Sequence, residues 1–191
     1  MINIKRLGHV ALSVPDVKET ADFYEKILGM EISDRVGEAV FLRCNDDHHC
    51  LALYPGEKRG LHHLGLEVND KEALQTVREE LSSHGHEPIK RIYEEPGHSE
   101  AYCYQDPDGF LLEIYEGMES VNKTLPKNNL RPVKFGHITL MSQDLKTSLA
   151  FYTEFLGFRI SDTLEDNSLV WLRCNQEHHG IAIINAGVSK V

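Results

Sequence analysis

The sequence predicts an α+β fold of tandem βαβββ modules, two of them paired into a half-barrel-like domain and a third standing beside it. Three observations carry that expectation. The chain repeats itself: Gly8-His9-Val10-Ala11-Leu12 returns as Gly136-His137-Ile138-Thr139-Leu140, and the match runs on through Phe23-Tyr24 against Phe151-Tyr152 and Leu28-Gly29 against Leu156-Gly157. After a two-residue insertion it resumes as Leu42-Arg43-Cys44-Asn45 against Leu172-Arg173-Cys174-Asn175, then His48-His49 against His178-His179. Similarity of this kind marks copies of one supersecondary unit. Within each copy the apolar period switches from two to 3.6 and back, and turn-forming residues punctuate the switches.

In the first copy, His9, Ala11 and Ser13 alternate with Val10, Leu12 and Val14, as a strand requires. A helix follows, with Val17, Ala21, Tyr24 and Leu28 on one face, Asp16 as its N-cap and Gly29 at its left-handed end. Three strands then fit Met30–Arg35, Ala39–Asn45 and Cys50–Tyr54. The second, more divergent copy opens with a strand over Leu61–Val68. Its helix spans Lys71–His84 with Leu74, Val77 and Leu81 inward, and strands follow near Pro88–Tyr93, Ala101–Gln105 and Phe110–Tyr115. Asp106-Pro107-Asp108-Gly109 is a turn between the last two. In the third copy Leu145, Leu149, Tyr152 and Leu156 share the helical face. The domain plan is therefore residues 1–117 as two modules (1–56 and 61–117), a polar connector over 118–133, and a third module over 134–191. By the repeat offset Val191 corresponds to Leu61, so on this plan a fourth unit would begin where the sequence ends.

Composition narrows the function classes. A net charge of −10 argues against a nucleic-acid partner, which needs a basic footprint. The sequence has no apolar signal segment and no run of the length a membrane span needs. The four cysteines, Cys44, Cys50, Cys103 and Cys174, lack CxxC spacing and suit a reduced, cytoplasmic protein.

Copied units bring equivalent positions to one point. His9 and His63 occupy matching first-strand places, and Glu113 lies inward on the last strand of the second unit if Leu112 and Ile114 face away. Two imidazoles and one carboxylate form a facial set of three ligands with open positions, suited to Fe(II), with Mn(II) a close rival. A histidine pair ahead of an apolar strand also suits a solvated surface. The recurrence of His48-His49 as His178-His179 instead favours a supporting role in which the second histidine faces the site. His98 is expected at the same cavity, whereas His84 and His86, flanking Gly85 at a helix end, are expected in solvent.

The modules resemble those of the vicinal oxygen chelate superfamily of glyoxalases, bleomycin resistance proteins and extradiol dioxygenases. The resemblance rests on the Gly-His openings, the Asp-Pro-Asp-Gly turn ahead of Leu111-Leu112-Glu113-Ile114-Tyr115, and the Arg-Cys-Asn-x-x-His-His segments. The last of these is similar to the two-domain extradiol enzymes, which use four modules. The resemblance implies metal ligands His9, His63 and Glu113 in the first half and His137 in the second. It implies His179 as the histidine that handles the substrate proton, with His49 as its counterpart. It also implies an Fe(II)-dependent (or Mn(II)-dependent) dioxygenase acting with O2 on a small aromatic diol. Where relatives place a tyrosine ten residues before the glutamate, this sequence has Cys103, and strand alternation turns Tyr102 and Tyr104 away. In most relatives the working site lies in the C-terminal domain. A third module without a partner exposes a sheet face, so self-association into a homo-oligomer is expected. Two other readings stay open: a glyoxalase-like lyase or isomerase, disfavoured because Leu51-Ala52-Leu53-Tyr54 offers no second carboxylate, and a non-catalytic module that sequesters a small molecule.

Overall fold

The computed structural model describes residues 2–91, 93, 95–121 and 130–187. The first copy forms β1 (Ile4–Val14), α1 (Val17–Lys26), β2 (Glu31–Val36), β3 (Ala39–Arg43) and β4 (Leu51–Pro55). The second forms β5 (Gly60–Val68), α2 (Lys71–Ser83), β6 (Ala101–Gln105) and β7 (Leu111–Glu116). Their seven strands join one sheet in the order β2-β3-β4-β1-β5-β7-β6. The two copies meet through their first strands, β1 antiparallel to β5, and each first strand runs parallel to the last strand of its own copy. The duplicated units thus share one continuous ladder.

Caps confirm the local reading. The Asp16 carboxylate accepts from Glu19 N at 2.7 Å and that of Asp70 from Ala73 N at 2.8 Å, satisfying donors that a helix start leaves orphaned. One expected strand is not formed: among the described residues of Pro88–Tyr93, only Ile89 bridges to the sheet, opposite Cys103. Pro88 has no N–H to donate, and Arg91 and Tyr93 instead reach across to the Glu113 carboxylate.

The third copy forms β8 (Ile138–Ser142), α3 (Leu145–Ala150), β9 (Arg159–Thr163), β10 (Leu169–Arg173) and β11 (Ile181–Asn185), in the sheet order β8-β11-β10-β9. α3 widens into a π-helical turn over Phe151–Phe155, and Tyr152 and Leu156 are buried while Leu145 and Leu149 are half-buried. This copy packs on the second: Leu140, Phe151, Tyr152, Leu156 and Phe158 share a core with Leu64, Leu66, Leu74, Leu81 and Leu112. The Asp106–Gly109 turn is the joint. Tyr152 OH donates to Asp106 Oδ2 at 2.8 Å, Ser148 Oγ to Asp108 Oδ2 at 2.5 Å and Gln143 N to Asp108 Oδ1 at 2.8 Å. His86, expected in solvent, is half-buried against the Phe151 and Phe155 rings; His84 is exposed as expected.

Residues 122–129 of the expected connector lie outside the described residues. The segment before them is tied down. His48 N donates to Glu119 O at 2.7 Å, Glu119 N to Gly97 O at 2.7 Å and Val121 N to Asp46 O at 2.8 Å. No helix among the described residues is long and apolar enough to cross a membrane.

Candidate metal centre

One row of the sheet explains the site. His9 on β1 sits opposite Gly65 on β5, which sits opposite Glu113 on β7. Because side chains two apart on a strand share a face, His63 joins that face, opposite Ala11. Gly65 provides the space in the middle: a Cβ there would lie 2.0 Å from His9 Cε1. Ala11 and Ala52 keep the neighbouring row low beneath Phe41 and Tyr54. Large apolar residues on the other face, Leu64, Leu66, Leu112 and Ile114, go to the core with α2.

His9, His63 and Glu113 are fully buried, as the strand alternation requires. A fourth residue, absent from the sequence-based set, joins them. Glu95, from the segment between α2 and β6, places Oε1 2.8 Å from His9 Nε2 and Oε2 2.9 Å from His63 Nε2. His9 Nε2 and His63 Nε2 are 3.1 Å apart. One ligand atom from each of the four residues lies within 4.8 Å of the others.

Each carboxylate is pinned from outside by a tyrosine and a nitrogen donor. Glu113 accepts from Tyr93 OH at 2.7 Å and Arg91 Nη1 at 2.6 Å; Glu95 accepts from Tyr54 OH at 2.9 Å and lies 2.9 Å from His49 Nε2. His63 Nδ1 meets His62 Nδ1 at 2.8 Å, and His49 Nδ1 meets His48 Nδ1 at 3.0 Å. Such outer contacts fix the tautomer and aim of a metal ligand. Burial opposes the charge on Glu95, but His9, His63 and His49 hold its carboxyl well below the usual carboxylate range. Burial pushes the His49 and His98 imidazoles down to about 4, so both are neutral near pH 7.

His49 faces the site, its ring centroid 4.8 Å from that of His9. His98 stacks on Tyr115 at 4.7 Å, and neither of its ring nitrogens has a hydrogen-bond partner. In the third copy the geometry recurs without the enclosure. The His137 and His179 rings are 4.7 Å apart, and the His178-His179 pair repeats the His48-His49 contact at 2.9 Å. His137 and His178 are exposed and His179 is half-buried; no third ligand gathers on them among the described residues.

Tyr93 adds a contact that the sequence reading did not include. Cys103 does stand opposite Glu113, and Tyr102 and Tyr104 turn away, but the Tyr93 hydroxyl supplies the missing contact and lies 3.4 Å from Cys103 Sγ. Arg91, Tyr93 and Glu95 alternate with period two in the sequence, but among the described residues no strand forms there to assign them a face.

The donor set suits a divalent cation. Two imidazoles and two carboxylates converge, fully buried, and His9 Nδ1 is left without a hydrogen-bond partner.

The model of the Glyoxalase/Bleomycin resistance protein/Dioxygenase superfamily matches residues 6–114 and 134–187. The chain belongs to this superfamily. Similar members include a metapyrocatechase of Geobacillus stearothermophilus, 29% identical over 96% of this chain and 62% of that protein. A biphenyl-2,3-diol 1,2-dioxygenase of Pseudomonas sp. strain KKS102 is 31% identical over 95% of this chain and 68% of its own length. Among solved structures, a Mn(II)-bound glyoxalase from Novosphingobium aromaticivorans shares the fold with a TM-score of 0.87 and 24% identity, covering 97% of this chain and 63% of that one. The chain thus spans a little under two thirds of the metapyrocatechase.

Proposed function

We propose that the chain is part of a non-haem extradiol dioxygenase that opens a catechol-type aromatic ring with O2, using Fe(II) or Mn(II). The observation that supports this reading most is the His9–Gly65–Glu113 row with His63 beside it, a buried two-histidine, one-carboxylate set. His9, His63 and Glu113 would hold the metal, which when bound supplies Lewis acidity and adjacent positions for two hydroxyl oxygens and O2. His98, its side chain covered and its Nε2 3.3 Å from Glu113 Oε1 with no hydrogen bond formed, is the residue best placed to accept a hydroxyl proton. His49 is engaged by Glu95 and takes that role only when Glu95 moves. Arg91 and Tyr93 fix the Glu113 carboxylate, and burial keeps bulk water from the set. In the third copy we propose His137 as the counterpart of His9 and His179 as the counterpart of His49, on the strength of the matching ring pairs.

A glyoxalase-like lyase or isomerase is the second reading, favoured by one observation. Relatives of that kind want a second carboxylate, and Glu95 provides it from an unexpected place.

The test is to measure iron and manganese in the purified chain, then add catechol and Fe(II) under oxygen. The dioxygenase reading expects oxygen uptake and a yellow ring-opened product, with metal content lost in His63→Ala. Stoichiometric metal that survives His9→Ala, His63→Ala and Glu113→Ala combined would refute the centre. Metal without oxygen uptake, accompanied by turnover of a hemithioacetal, would favour the second reading.

A further inference from the structure

We propose that Glu95 is a displaceable fourth metal ligand, bound in the resting centre and released when a bidentate oxygen ligand enters. The proposal rests on the metal-centre reading above and concerns what closes that centre.

The two carboxylates are matched in chemistry and unmatched in anchorage. Each has a tyrosine hydroxyl and a nitrogen group on its outer side; inward, Glu95 meets His9 and His63, and Glu113 lies 3.3 Å from His63 Nε2 and from His98 Nε2. A carboxylate placed only to orient a histidine would meet the ring nitrogen remote from the metal. Glu95 instead approaches Nε2 of both His9 and His63, the atoms that also face each other. Glu113, however, stands on β7 between two hydrogen-bonded strands, whereas Glu95 stands outside any strand, on a segment held by the Ile89–Cys103 bridge and by the Glu119 N to Gly97 O hydrogen bond.

Two chemical consequences follow. Two carboxylates neutralise a divalent cation, and added oxygen ligation shifts preference toward harder ions such as Mn(II). A diol needs two adjacent positions, so its entry competes with Glu95. The groups Glu95 would leave behind, Tyr54 OH and His49 Nε2, then face the vacated space.

The experiment uses the full chain as wild type, Glu95→Ala, Glu95→Gln and Glu113→Ala, each checked for folding by circular dichroism. Mn(II) affinity is read from the free-ion electron paramagnetic resonance signal, water access from proton relaxation per bound Mn(II), and catechol affinity from optical titration under argon. Glu95→Ala is expected to weaken Mn(II) binding tenfold or more, raise relaxation per bound ion and tighten catechol binding tenfold. Glu95→Gln, which keeps the side-chain shape, is expected to weaken Mn(II) in the same direction. Unchanged Mn(II) affinity, or weakened affinity with unchanged relaxation, would overturn Glu95 as a ligand. Catechol binding no tighter than in wild type would overturn its displacement. Loss of Mn(II) in Glu113→Ala with full retention in the Glu95 variants overturns this proposal and leaves the centre standing. Failure of wild type to bind Mn(II) or Fe(II) removes both.

Discussion

Replacing Gly65 by alanine adds one methyl group and tests the geometry of the whole row. The new Cβ would stand 2.0 Å from His9 Cε1, 2.3 Å from Nδ1 and 2.4 Å from Nε2. These are overlaps rather than contacts. The ring cannot yield outward, because His9 is fully buried against His49, His63 and Tyr115. Overpacking of this kind costs about 1–3 kcal/mol, which for a chain of this size lowers the melting temperature by roughly 2–4 °C per kcal/mol. Gly65 has no positive φ, so the backbone itself accepts alanine. Glycine-to-alanine at such a position otherwise stabilises by about 0.4–1 kcal/mol through the unfolded chain. The sign is therefore diagnostic. Gly65→Ala is expected to destabilise the wild type and lose metal, yet to be neutral or stabilising in a His9→Ala background. Urea unfolding of the four proteins of that double-mutant cycle, with metal titration of each, measures the coupling. Equal costs of Gly65→Ala in both backgrounds would show that His9 does not lie across Gly65.

Three further expectations are simpler. Tyr54→Phe and Tyr93→Phe each remove one hydroxyl from a site carboxylate and should weaken metal binding by about 10–100-fold, read by titration, without abolishing it. Tyr152→Phe deletes the donor to buried Asp106 and should cost about 1–3 kcal/mol in urea unfolding, with no change in metal stoichiometry. Burial alone would raise the Asp47 carboxyl, but the Arg6 guanidinium, donating through Nη1 at 2.6 Å and Nη2 at 2.9 Å, leaves it below its ordinary value. A depressed carboxyl adds stability above its unfolded-state pKa and loses it as the pH falls through the folded one. Asp47→Asn should flatten that acid-side loss in unfolding curves taken between pH 6 and the acid transition, and an unchanged slope would contradict the pairing.

Residues on strands were legible because alternation assigns them a face. His9, His63 and Glu113 could be placed together from the repeat and a period of two, and the structure puts them in adjacent register. Glu95 and Arg91 were not legible, because the segment carrying them leaves the sheet and no ladder fixes its direction. Tyr54 was visible as the end of a strand but was weighed only for a charge it lacks. Its function is to hold a charge that arrives from elsewhere. The π-helical turn in the third copy was equally hidden, since a widened helix keeps nearly the same apolar spacing.

The joint at Asp106–Gly109 separates two ideas that the repeat makes look identical. Copying proceeds module by module, but completion does not. Asp106 is satisfied partly by its own turn, from Phe110 N and Asp108 N, and partly by Tyr152 from the next copy. The second module cannot finish that hydrogen-bond set alone, and the third cannot bury Tyr152 alone. The piece that was duplicated is therefore smaller than the piece that melts. A protease or denaturant that releases the third copy should loosen the strand leading to Glu113 in the same event.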